Sequence, residues 1–171
     1  MSSVRITVVG SLGFLSLMVG ASVAQDSSRP VLIERYADWT LQCFQASPPR
    51  CEAFQKRKQG NTELVLWVEL SQKRGAAPDL NVVTPLGTRL ADGLSLSIDR
   101  KFSIQGKYKT CLDLGCLTHI PGNAVLIDRL MKGTLLLSTV TAANGQKITM
   151  TLPLTGLAQS YQRLGQLLKG R

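Results

Sequence analysis

Thr134-Leu135-Leu136-Leu137-Ser138-Thr139-Val140-Thr141-Ala142, then Ala143-Asn144-Gly145-Gln146, then Lys147-Ile148-Thr149-Met150-Thr151-Leu152-Pro153-Leu154, is the stretch that decides the fold class. Two apolar, β-branched runs flank an Asn-Gly pair, and Asn-Gly accepts the positive φ angles that a tight hairpin turn needs. The stretch predicts two antiparallel strands.

The same chemistry recurs upstream. Leu94-Ser95-Leu96-Ser97-Ile98 alternates cleanly after Asp92-Gly93, and Phe102-Ser103-Ile104 alternates again after Arg100-Lys101. Trp39, Leu41 and Cys43 share one face of the run from Ala37, with Asp38, Thr40 and Gln42 on the other. Ser47-Pro48-Pro49 breaks that run, and Cys51 to Lys58 can return beside it before Gln59-Gly60-Asn61 turns the chain. Glu63 to Ser71 is apolar on both faces, with Leu64, Leu66, Val68 and Leu70 on one side and Val65 and Trp67 on the other, which predicts a central strand. Short strands are also expected at Leu80–Thr84 and Leu117–Ile120. Trp39 and Trp67, inside apolar strands, are read as core residues.

Two short helices complete the pattern. Asn123 can cap a segment carrying Val125, Ile127, Leu130 and Met131 up to Gly133. Leu157, Tyr161, Leu164 and Leu168 repeat at helical spacing after Thr155, a candidate cap, and form a stripe expected to face the core. Many short strands with turns between them predict a single-domain, mainly β protein: an antiparallel β-sandwich or barrel-like fold with two short helices.

At the front, Met1 to Ala24 has the parts of a secretory signal peptide: Arg5, an apolar run from Ile6 to about Val19, then Ser22-Val23-Ala24. Cleavage is expected before Gln25, with no cysteine there for lipidation and no transmembrane segment afterwards. Residues 25–35, polar and holding Pro30, are read as a flexible arm, and residues 36–168 as the domain. The chain of 171 residues carries 20 Lys and Arg against 11 Asp and Glu, a formal net charge of +9. Removing the leader takes only Arg5, so the folded surface should attract anions. Lipid phosphate, polysaccharide, nucleic acid and acidic protein all fit that charge. No specific nucleic acid is expected, and the sequence sets no oligomeric state.

Asp38-Trp39-Thr40-Leu41-Gln42-Cys43, then Cys51-Glu52, Pro85-Leu86-Gly87 with Leu90 and Asp92-Gly93, Leu96-Ser97-Ile98-Asp99, Cys111 to Cys116, Lys132-Gly133, Asn144-Gly145 and Leu152-Pro153-Leu154-Thr155-Gly156-Leu157 follow one another in order. In that order the chain resembles the bacterial invasion-associated locus B family, across about Tyr36 to Leu164. Leu157 stands where that family usually has phenylalanine. The resemblance implies an exported, mostly β protein of Gram-negative bacteria, periplasmic or secreted, with no established enzymatic activity. In some pathogens such proteins are linked to entry into host cells such as erythrocytes.

Four cysteines and one histidine are the candidates for chemistry. Four cysteines in an oxidising compartment allow three pairings, of which Cys43–Cys51 and Cys111–Cys116 close the shortest loops across predicted turns. That pairing is favoured. The alternatives are crossed disulfides, a zinc site on Cys111, Cys116 and His119, or a redox thiol pair. In a strand, residues three apart point to opposite faces, so Cys116 and His119 are not expected to work as a nucleophile and base. No catalytic, cofactor or metal-binding residues are assigned, and no cofactor is expected. The candidate anion- or partner-binding surface is Lys56, Arg57, Lys58, Lys73, Arg74, Arg100, Lys101, Lys107, Lys109 and His119, which could converge at one end of a sandwich. The reading that follows is a non-enzymatic binding protein at the bacterial envelope or a host surface. The alternative is a periplasmic assembly or quality-control factor that binds an envelope protein complex.

Overall fold

A computed structural model describes residues 29–58 and 65–170. The expected signal peptide and the residues of the expected arm before Arg29 lie outside them. Among the described residues eleven strands run in the order β1 (Pro30–Tyr36), β2 (Trp39–Phe44), β3 (Arg50–Lys58), β4 (Val65–Lys73), β5 (Asp79–Thr84), β6 (Leu94–Ile98), β7 (Phe102–Gly106), β8 (Tyr108–Leu112), β9 (Gly115–Pro121), β10 (Leu135–Thr141) and β11 (Lys147–Pro153). Helix α1 (Ala124–Lys132) sits between β9 and β10, and α2 (Leu157–Lys169) closes the chain.

The strands form two antiparallel sheets. One has seven strands in the order β1-β2-β3-β4-β5-β9-β8, the other four in the order β11-β10-β6-β7. Neither closes on itself, so of the two predicted architectures the sandwich forms and the barrel does not. β4 lies at the centre of the larger sheet, as its two-faced apolar pattern predicted. The Asn144-Gly145 hairpin pairs Leu135 with Pro153 through to Thr141 with Lys147, and Asn144 Oδ1 accepts from the Gln146 amide at 3.0 Å.

One face of the large sheet is dry. Trp39, Ala53, Val68, Leu80 and Val82 meet Leu96, Leu136, Met150 and Leu152 of the smaller sheet, with Leu126 and Leu130 of α1 filling one side. Each such leucine contributes about 2 kcal/mol relative to exposure. At the β1–β3 end α2 takes over the cover, and Leu164 and Leu168 pack on Leu41, Cys43 and Cys51 in a second core. Gly156 starts α2 at φ 94°, and a Cβ there would collide with the Tyr36 carbonyl oxygen, so only glycine lets the helix begin against the β1–β2 turn.

Several local expectations change. Residues 30–35, read as part of a flexible arm, form β1, which pairs with β2 from Pro30–Phe44 to Tyr36–Trp39. β8 is an additional strand, exposed almost throughout. In α1 the buried pair is Leu126 and Leu130, and Val125 faces water; Asn123 Oδ1 does cap the helix, accepting from the Leu126 amide at 2.9 Å. α2 has Gly156 at its cap position, not Thr155, and no side-chain cap bond. Trp67 is not in the core: Leu66, Val68 and Leu70 point inward, which turns it to the outer face, half-buried.

Candidate functional site

Both disulfides join residues that face each other across neighbouring strands: Cys43 with Cys51 on β2 and β3, and Cys111 with Cys116 on β8 and β9. The first is buried beneath α2, whereas in the second Cys116 is buried and Cys111 is exposed at the rim. Among the described residues no cysteine is free. With both thiols of the second pair consumed in a bond, the zinc alternative loses two of its three ligands. Gly115 closes the β8–β9 tip at φ 137°, where a Cβ would collide with the Thr84 carbonyl oxygen.

His119 lies on the outer face of the large sheet, opposite in direction to buried Cys116. Its Nδ1 is 2.9 Å from Asn81 Oδ1, and Asn81 Nδ2 donates to Glu69 Oε1 and Ser71 Oγ, both at 3.2 Å. An amide oxygen only accepts, so Nδ1 carries the hydrogen. Nε2 is 3.8 Å from Asp79 Oδ1, an electrostatic neighbour beyond hydrogen-bond reach. The histidine is thus a member of a polar network on a flat sheet face, with no free thiol to activate.

The network continues to Glu52, which is buried although it is on this face. Gln42 Nε2 donates to it, and Arg50 Nη1 is 3.1 Å from its Oε2. Burial pushes the Glu52 carboxyl above the usual range, and the charge of Glu69 pushes it the same way. Beside the network, Phe54 and Trp67 pack at 5.8 Å between ring centroids, and Lys56 Nζ lies 3.9 Å from the Trp67 centroid. That is cation–π distance. The strict alternation along β4 was the signal that Trp67 belongs to this exposed cluster.

Comparison with known proteins decides the family. The family model described as Invasion associated locus B (IalB) protein matches residues 39–165. The chain belongs to the invasion-associated locus B family. Two relatives, each an Invasion protein B homolog of Brucella abortus, from strain 2308 and from biovar 1 strain 9-941, are 32% identical over 157 residues, covering 90% of this chain and 86% of theirs. The crystal structure of invasion associated protein B from Bartonella henselae superposes with a TM-score of 0.70 at 23% identity, over 81% of this chain and 99% of that one. It shares the fold.

In this invasion-associated locus B protein the candidate basic residues do not converge. Arg50 pairs with Lys73, and Lys58 pairs with Val65 at the other end of β3 and β4. Eight residues of strand separate Lys58 from Lys73 by roughly 26 Å. Arg57 is tied to Asp38 at 3.0 Å, Lys56 lies on Trp67, and Arg74 Nε donates to the Leu168 carbonyl at 2.9 Å. Arg100 and Lys101 occupy the β6–β7 turn, where Lys101 neighbours Arg129 and Lys132 of α1. Lys107 and Lys109 line a cleft of about 620 Å³ with Leu90, Asp92, Tyr108 and Cys111. His119 is on the sheet face, apart from that cleft.

Proposed function

We propose that the chain is an exported, non-catalytic binding protein that acts at an anionic surface of the bacterial envelope or of a host cell. One observation carries this reading. Among the described residues Lys58, Lys73, Arg100, Lys101, Lys107 and Lys109 have no carboxylate partner, so their charge faces outward. A protein with that surplus is drawn to polyanions even when its cations are spread over several faces. Its disulfides suit an oxidising compartment, and its relatives carry invasion protein names. Among the described residues no helix is long and apolar enough to cross a membrane.

The test is fractionation of the native host followed by binding of the purified, oxidised protein to immobilised dextran sulfate across a salt series. Recovery outside the cytoplasm, with retention that fades as salt screens charge, is the expected result. Cytoplasmic protein, or no retention at low salt, overturns it. Recovery of one defined envelope protein that salt does not release would instead favour the assembly-factor role.

A further inference from the structure

We infer that the clasped β8–β9 tip is a membrane-contacting element, with Leu112 and Leu114 entering the interfacial zone of an anionic bilayer while Lys107 and Lys109 meet its phosphates. The inference rests on the anionic-surface reading above and gives that surface a chemical identity.

The tip carries the two most exposed large apolar side chains among the described residues, Leu112 at 67% and Leu114 at 75%. Leu90, 52% exposed, lines the same cleft as Cys111, and Leu86, 56% exposed, follows Thr84, the strand partner of Cys116. A single exposed leucine is ordinary. Leu112 and Leu114 share one tip, with Leu90 and Leu86 on the segments next to it, and exposed apolar groups gathered into a patch in this way mark contacts with proteins or membranes.

Charge favours the membrane. Lys107 and Lys109 have no ion-pair partner among the described residues and lie beside the patch, in a cleft whose one carboxylate is that of Asp92. Lys109 is three strand residues from Leu112, roughly 10 Å at the extended rise. Interfacial elements bury apolar groups about 5–10 Å below the headgroups, so that offset puts the Lys109 ammonium at phosphate depth when the leucines reach the acyl boundary, with Lys107 two residues further back and reaching the headgroups on its long stem. The Cys111–Cys116 bond holds the tip in register, so little conformational freedom remains to be lost on contact.

Asp113, between the leucines, opposes approach to an anionic surface and so supplies a signed test. Oxidised protein would be co-sedimented with phosphatidylcholine vesicles with and without phosphatidylglycerol. The inference requires salt-sensitive binding only when phosphatidylglycerol is present, and at least tenfold weaker binding for Leu112→Ser/Leu114→Ser with circular dichroism and disulfides unchanged. Lys107→Gln and Lys109→Gln should each weaken binding about fivefold, the effect of one basic group near a charged bilayer. Asp113→Asn should tighten it, whereas a basic protein partner would be lost by that change. Wild-type protein that ignores vesicles, or tip variants that bind as well as wild type, overturns the inference. Retention on dextran sulfate without vesicle binding sinks the tip alone and leaves the broader reading standing; failure on both sinks both.

Discussion

Arg163 of α2 grips Glu34 of β1 through two nitrogens, Nε at 3.1 Å from Oε2 and Nη2 at 3.1 Å from Oε1. Tyr36 adds its hydroxyl, donating to Oε2 at 2.7 Å. The pair joins the edge strand of the large sheet to the last helix. Bidentate geometry makes it more specific than an ordinary surface ion pair, although part exposure leaves it open to screening by salt.

The hydrogen bond from Arg163, then that from Tyr36, pulls the Glu34 carboxyl below its ordinary value of 4.5. A depressed carboxylate contributes stability that is present above the unfolded value and is lost as pH falls through the folded one. Arg163→Gln should therefore speed hydrogen exchange of the β1 amides at neutral pH and shrink the loss of stability below about pH 4.5. Exchange mass spectrometry at both pH values checks this. Unchanged β1 protection at neutral pH would show that the pair does not hold the strand.

Glu52 has the opposite sign. Burial, then the charge of Glu69, raises its carboxyl, so the folded state holds its proton more tightly than the unfolded chain does. The resulting contribution favours folding at low pH and is lost as pH rises from the unfolded value through the folded one. Glu52→Gln keeps an acceptor for Gln42 and removes the titration. Denaturant midpoints measured from mildly acidic to neutral pH should fall less steeply in the variant than in wild type. A steeper fall would assign the wrong sign to this carboxylate.

The two disulfides should differ in cost. Loop closure in the unfolded chain is worth about 2–3 kcal/mol for loops this short. Cys43→Ala/Cys51→Ala also empties space under Leu164 and Leu168, so its total should be about 3–4 kcal/mol. Cys111→Ala/Cys116→Ala should cost about 2 kcal/mol, since one sulfur is already at the surface. Urea denaturation of the two double variants decides the order. Non-reducing peptide mapping of wild type should recover the same two pairs.

Leu164→Ala tests the second core by itself. The side chain is fully buried, and truncating such a leucine costs about 2–5 kcal/mol, with the upper end reached when the site cannot collapse. Here the facing wall is a disulfide held across two strands, which resists collapse. A loss below about 1 kcal/mol would mean that α2 readjusts on the sheet.

Much of this architecture was legible from local pattern. The 134–154 hairpin, the alternation of β6 and the central place of β4 each depend on neighbours within a few residues. So does the pairing of each cysteine with its nearest partner. β1 escaped because its inward face includes Glu34, whose partner Arg163 is 129 positions away. A charged inward residue looks like an arm until its distant cation is known. β8 escaped because an edge strand exposed on both faces has no hydrophobic period to display. The basic residues were identifiable one by one, but their separation is a matter of register: which end of β3 and β4 each occupies is set by pairing, not by composition. Trp67 was misread as core because β4 is apolar on both faces; only the burial of Leu66 and Val68 shows which parity points inward and so sends it out.

The place of α2 in the chain also bears on synthesis. Leu41, Cys43 and Cys51 come early, yet the helix that covers them is formed by the 13 residues Leu157–Lys169 at the far end. Until those residues leave the ribosome, one corner of the sheet has no lid, and the nascent polypeptide cannot complete its fold. The covering helix is thus the last of the described elements to be made, and the second core closes only with it.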